Sequence, residues 1–169
     1  MLSNVLDAYL DGSTERELDL PFVLLLPALG FHDVHLTHGA VEFGTDFIAK
    51  KRENDREVQY AFQSKAGDID LPKWRRDVKV QLESAEAGVI HPNFDDTLDR
   101  QVVLVTSGEL NNNASIEMRR WNDDRSARYG MRPVPVWSKQ NLLEFLLGPG
   151  LNGVHRATAG GFDEFGQFF

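Results

Sequence analysis

The sequence predicts an α/β domain in which a mixed central β-sheet is flanked by helices. Three observations lead there. Apolar residues recur at helical spacing in some segments and alternate with period two in others, and Gly, Pro and Asp-rich breaks separate them. The second half alternates strand and helix around the unbroken apolar run Val102-Val103-Leu104-Val105, the mark of a strand covered on both faces, so its crossovers are parallel. Earlier, two strand-like segments meet across a polar loop, which implies an antiparallel hairpin in the same sheet.

Taken in order, Leu2, Val5, Leu6 and Tyr9 predict a first helix that Asp11-Gly12 ends. Thr14 and Glu17 have capping-box spacing and open a second helix with Leu18, Phe22, Leu25 and Leu29 on one face. Pro21 belongs only in a first turn, and Pro27 should kink or loosen the last one before Gly30 closes it. Phe31 to Leu36 reads as a short strand, and Val41 to Lys51 as a longer one after a His38-Gly39 turn. Lys51 to Asp55 is read as the hairpin loop. Val58 to Lys65 then places Val58, Tyr60 and Phe62 on one face and Gln59, Ala61, Gln63 and Lys65 on the other. A third helix carries Trp74, Val78, Leu82 and Ala85 inward and Arg75, Arg76 and Lys79 outward, and Gly88 ends it. Gln101 to Ser107 forms the covered strand, followed by a loop with Asn113 as N-cap and a helix through Met118 and Trp121. Val134 to Trp137 gives a last strand, and Ser138 caps a helix through Leu142, Phe145 and Leu146. The predicted order is α-α-β-β-β-α-β-α-β-α.

The residues that carry chemistry are Asp46, in Glu42-Phe43-Gly44-Thr45-Asp46, and Gln63-Ser64-Lys65 on the next strand. Gln63 and Lys65, two apart, project from one face. Together the three residues bring a carboxylate, an amide oxygen and an ammonium to one place. The two oxygens suit a hard cation such as Mg²⁺, and the ammonium suits a water to be activated or a phosphoryl oxygen gaining charge.

At these residues the chain resembles the PD-(D/E)xK nuclease superfamily, and within it the Mrr-like restriction endonucleases, in the variant with Gln for the acidic residue. The resemblance spans about Thr14 to Leu147. It implies a restriction-endonuclease-like three-layer fold, Mg²⁺ (or Mn²⁺) as cofactor, DNA as partner, and phosphodiester hydrolysis in a restriction or anti-phage defence system. It makes Asp46, Gln63 and Lys65 the catalytic set, with Asp46 and Gln63 on the metal and Glu42 as a further metal group. It also implies an acid on the first core helix, for which Glu17 is the first choice and Glu15 and Asp19 are rivals. A homo-oligomer or a fusion to a sensor domain is expected, with residues 1–12 as an N-terminal helix, 13–148 as the nuclease domain and 149–169 as a Gly-rich tail or linker to a further module. The Gln variant motivates the alternative of a catalytically silent nucleic-acid-binding or assembly module. An RNA-cleaving toxin would use the same site.

Other features have plainer readings. His32, His35 and His38 lie at spacings that alternate faces of a strand, so they are expected as surface or turn residues. Trp74 and Trp121 are expected to pack rather than stack on bases. The absence of cysteine excludes disulfides, thiolate metal sites and a cysteine nucleophile. The longest apolar run, Pro21 to Leu29, is far shorter than the roughly 20 residues of a membrane-spanning helix, so a soluble cytoplasmic protein is expected.

The formal charge of −8 at first argues against nucleic acid, but it is unevenly distributed. Residues 50–80 hold nine basic and six acidic groups, net +3, and residues 113–132 hold five against three, net +2. Lys73, Arg75, Arg76 and Lys79 in the first of these segments are the candidates for phosphate contact.

Overall fold

The structure, a computed structural model, describes residues 2–37, 44–89 and 91–147. Its elements run α1 (Leu2–Gly12), α2 (Glu15–Ala28), β1 (His32–Leu36), β2 (Phe47–Glu53), β3 (Arg56–Lys65), α3 (71–87), β4 (Asp99–Thr106), α4 (Asn112–Tyr129), β5 (Val136–Trp137) and α5 (Lys139–Leu147). This is the order the periodicities predict. Within α3 an α-helical turn, Leu71–Lys73, passes through a π-helical segment, Trp74–Val78, into the regular helix Lys79–Ala87.

The five strands lie in the order β1-β2-β3-β4-β5. The β1–β2 and β2–β3 pairs are antiparallel, whereas β3–β4 and β4–β5 are parallel, so the sheet is mixed. Strand alternation builds one core on each face. On one side Val58, Tyr60, Phe62, Val103 and Val105 pack with Leu18, Phe22 and Leu26 of α2, Leu10 of α1 and Leu142 of α5. On the other, Ala61, Val102 and Leu104 meet Trp74, Val78, Leu82 and Ala85 of α3 and Ala114 and Met118 of α4. The result is an α/β fold of three layers. Trp74 is buried and meets the Trp121 ring edge-on at 5.6 Å, which confirms the packing role for both.

Several boundaries differ from the sequence expectation, each for a local reason. Helix α2 runs through both prolines. Pro21 cannot donate to the Glu17 carbonyl four residues back, and the Tyr9 hydroxyl donates to that oxygen instead, at 2.6 Å. Pro27 is tolerated as the penultimate residue of the helix, after which Gly30 (φ +85°) turns the chain and the amides of Gly30 and Phe31 close on the carbonyls of Pro27 and Leu26. The β2–β3 loop is Asn54-Asp55 alone, both left-handed (φ +46° and +64°), because such a two-residue turn matches the twist of the strands it joins. Asn111, not Asn113, caps α4, accepting from the Ala114 amide at 2.9 Å. The last strand shortens to Val136–Trp137. Strand β2 begins at Phe47, and the predicted stretch from Val41 to Phe43 lies outside the described residues, as do His38, the Glu42 site and the 149–169 tail. No helix of the described residues is long and apolar enough to cross a membrane.

Candidate active site

Asp46 sits in the bend that leads into β2. Its amide donates to the Phe62 carbonyl at 2.8 Å, and its carbonyl accepts from the Thr37 amide at 3.0 Å, so the bend is held between β3 and the end of β1. Gly44 makes the approach. It is left-handed (φ +67°), and a Cβ on it would fall 2.1 Å from the Gln81 carbonyl oxygen, so the loop lies directly on the α3 backbone.

The Asp46 carboxylate faces the end of β3. Its Oδ2 accepts from the Ser64 amide at 2.6 Å, the Ser64 hydroxyl at 3.0 Å and Gln63 Nε2 at 2.9 Å. Burial pushes its pKa above the ordinary carboxylate value. The Ser64 hydrogen bonds and the Lys65 charge pull the other way, and the nearby Asp19 charge adds to the rise. Gln63 is 4% exposed, and with its nitrogen committed to Asp46, its Oε1 is buried without a hydrogen-bond partner. Thr45 Oγ1, next to Asp46 in the chain, is likewise buried and unpaired. A buried oxygen without a donor carries a desolvation cost that a cation or a bound water removes.

Lys65, two residues on, is 3% exposed. Its ammonium lies 3.3 Å from Asp77 Oδ2 of α3 and 3.5 Å from Glu15 Oε1 of α2. The loop after Lys65 is fastened to the end of β4: the Ser107 amide donates to the Lys65 carbonyl and the Ser107 hydroxyl accepts from the Gly67 amide.

The structure thus brings Asp46, Gln63 and Lys65 together and sorts the three acids of α2. Glu17, the sequence's first choice, does not reach the site. Its carboxylate accepts from the Thr14 amide at 2.7 Å and the Thr14 hydroxyl at 2.8 Å, and those bonds hold its pKa below the usual range. Glu15 reaches Lys65 instead, and Asp19, buried at 7% exposure, is close enough to raise Asp46. Sequence reasoning missed Asp77 and the part played by Ser64. The signal for Asp77 was its position three residues after the inward-facing Trp74, at the margin of the buried face of α3.

As for cation fit, Asp46 and the free Gln63 oxygen supply two hard oxygen donors, the type Mg²⁺ takes, although no group of three or more His, Cys, Asp or Glu side chains able to hold a metal occurs among the described residues. The histidines among the described residues form no metal group. His32 pairs with Glu57 and His35 with Asp33 at the surface.

The four candidate phosphate contacts are mostly occupied. Lys73 donates to the carbonyls of Ala66 (2.8 Å) and Asp68 (3.4 Å), Arg75 binds both oxygens of Glu117, and Lys79 lies 3.8 Å from Glu83. Arg76 is exposed and meets only the Pro72 carbonyl among the described residues, at 3.4 Å.

No protein-family model and no curated protein matches the sequence. Among solved structures, the chain is similar to the MspJI restriction endonuclease in complex with a 27-mer oligonucleotide, with a TM-score of 0.51 and 17% identity over 86% of this chain and 30% of that one. It is similar to the restriction endonuclease FokI, with a TM-score of 0.55 and 17% identity over 84% of this chain and 27% of that one. For FokI bound to DNA the TM-score is 0.59, again at 17% identity, over 91% of this chain and 29% of that one. The chain therefore spans less than a third of the length of each of these proteins, and what it shares with them is the restriction-endonuclease-like α/β fold.

Proposed function

We propose that this chain is a metal-dependent DNA endonuclease domain of the Mrr-like PD-(D/E)xK type, with Asp46, Gln63 and Lys65 as its catalytic set. The observation that carries the reading is the arrangement at the end of β3. A partly buried carboxylate is anchored through one oxygen, an amide oxygen beside it is buried and unpaired, and a buried ammonium follows two residues on. The likeness in fold to three restriction-endonuclease structures supports it.

Asp46 and the Gln63 oxygen would hold Mg²⁺ or Mn²⁺, with Glu42 as a further group. When bound, the ion would polarise the scissile phosphate and offset its growing negative charge. The Lys65 ammonium orients the attacking water, favours by its charge the loss of the water's proton to solvent, and neutralises charge on the phosphoryl oxygen. Water oxygen bonds to phosphorus, the bond from phosphorus to the 3′ oxygen breaks, and that oxygen leaves with a proton as 3′-hydroxyl, giving a 5′-phosphate end. Gln in place of an acid lowers the charge at the cation by one, which weakens its hold. A restriction or anti-phage role, and a homo-oligomer or a sensor fusion that brings two sites to two strands, complete the proposal.

Supercoiled plasmid incubated with Mg²⁺ or Mn²⁺ tests it. The chain should nick or linearise the DNA, whereas Asp46→Ala and Lys65→Ala should lose at least about 100-fold in rate, the scale on which positioned acid–base groups act. Equal cleavage by all three proteins removes Asp46 and Lys65 as the catalytic pair. No cleavage of plasmid by any, with binding retained, points to the silent module, and cleavage of total RNA alone points to an RNA target.

A further inference from the structure

We infer that Asp77 is the positioning residue for Lys65, and that the π-helical segment of α3 serves to aim it; this rests on Lys65 belonging to the nuclease site. Lys65 is 3% exposed, and an ammonium so buried must be matched by a carboxylate. Asp77 Oδ2 is the nearer of its two carboxylate partners, at 3.3 Å against 3.5 Å for Glu15.

The sequence around Asp77 makes this pairing unexpected. Asp77 stands among Lys73, Arg75, Arg76 and Lys79, and on an ordinary helix Lys73, four residues back, is the cation it would meet. Among the described residues it is ion-paired with none of them. Lys73 is drawn to the Ala66 and Asp68 carbonyls, Arg75 to Glu117, Arg76 to the Pro72 carbonyl and Lys79 to Glu83. The one aspartate of this basic stretch goes instead to a lysine on the neighbouring strand.

The backbone supplies an independent observation. The π-helical segment is Trp74–Val78, and the Lys79 amide bonds the Trp74 carbonyl five residues back. Asp77 lies within this wider turn, between the buried Trp74 and Val78, and meets Lys65. Wide turns of this kind cost helix regularity and occur often at functional sites. Asp77 also has the shorter side chain and comes from the element packed on the face that carries Gln63 and Lys65, whereas Glu15 reaches in from the first turn of α2; the two carboxylates are similarly exposed, at 42% and 51%. Asp77 therefore fixes where the Lys65 ammonium stands, and Glu15 is the exchangeable partner.

The test needs a readout that does not depend on cleavage. In uniformly ¹³C,¹⁵N-labelled full chain, the two Lys65 Hε protons should be resolved, as expected of a fixed side chain. Asp77→Asn should collapse them towards a single averaged signal, Asp77→Glu should restore the separation, and Glu15→Gln should retain it. If the wild type cuts DNA, Asp77→Asn should lower kcat by about 100-fold, the scale of a misplaced catalytic group, with KM for DNA little changed, and Asp77→Glu should recover most of the loss. Amide spectra check that each variant folds, and Asp77→Ser replaces Asp77→Asn if the latter does not. Lys65 signals unchanged in Asp77→Asn, equal release in Glu15→Gln, no rescue by Asp77→Glu, or an unchanged kcat would each overturn the inference. A wild type that cuts no DNA sinks the nuclease reading, yet the Lys65 signals still decide the role of Asp77.

Discussion

At Asp46 burial and hydrogen bonding oppose each other. Three donors converge on Oδ2, yet burial prevails and holds the carboxyl above its ordinary value. The folded chain therefore binds a proton at Asp46 more tightly than the unfolded chain does, and ionising it costs stability. That cost is absent below the unfolded carboxyl value of about 3.9, appears as pH rises through the elevated folded value, and is full at neutral pH. Asp46→Asn should accordingly melt a few degrees above the wild type at pH 7, on a scale of about 2–4 °C per kcal/mol for a chain of this size, and the difference should close below about pH 4. Added Mn²⁺ should raise the melting temperature of the wild type, chelation should return it, and Asp46→Asn should not respond. A variant that melts lower at pH 7 would show that the bonds from Ser64 and Gln63 outweigh burial. At this scale Glu17 is instructive. The capping-box spacing of Thr14 and Glu17 was legible in the sequence, and the Glu17 carboxylate that completes the box is not brought to the site. Glu15 and Asp19, one helical turn apart on α2, approach the site instead.

Among the elements, the loop into β2 and helix α3 set the geometry of the site. Gly44 lies against the Gln81 carbonyl in a left-handed conformation, so Gly44→Ala meets both a steric and a conformational barrier. It should lower the melting temperature by roughly 4 °C or more, the equivalent of ~2 kcal/mol in a chain of this size, and reduce cleavage by moving Asp46; calorimetry and the plasmid assay check the two effects together. The strands and helices around this loop were legible because their signals are local: an alternating strand in Val58 to Lys65, an unbroken apolar one in Val102 to Val105, and a 3.6-residue face in Trp74, Val78, Leu82 and Ala85. The passage of α2 through Pro21 was not. It depends on the Tyr9 hydroxyl, eight residues from the Glu17 carbonyl it satisfies and on another helix. The π-helical segment was hidden for a similar reason, since Trp74 and Val78 keep a spacing compatible with a regular helix.

For the whole molecule, the question is how a chain of net charge −8 would meet a polyanion. Long-range repulsion makes association weak and strongly dependent on salt, and the contacts that matter are cations without an internal partner. The structure separates Arg76, which meets no carboxylate among the described residues, from Arg75, which is bound to Glu117. Arg76→Ala should weaken binding to a labelled duplex and reduce the slope of log affinity against log salt by about 1, whereas Arg75→Ala should leave that slope unchanged. Fluorescence anisotropy across a salt series distinguishes them, and equal effects would mean that Arg75 leaves Glu117 for phosphate.

The α/β class, the order of the elements, the mixed sheet and the two-face burial of β4 follow from local pattern, because hydrophobic period and chain breakers act over a few residues. The same pattern also places Gln63 and Lys65 on one face of β3, as a period of two requires. Which carboxylates approach Asp46 and Lys65, and which cations stay available, emerges from the folded arrangement, since those choices are competitions between side chains far apart in sequence. Glu17 serves its own helix, Arg75 serves Glu117, and Asp77 passes over Lys73, one turn back, to meet a lysine on another element.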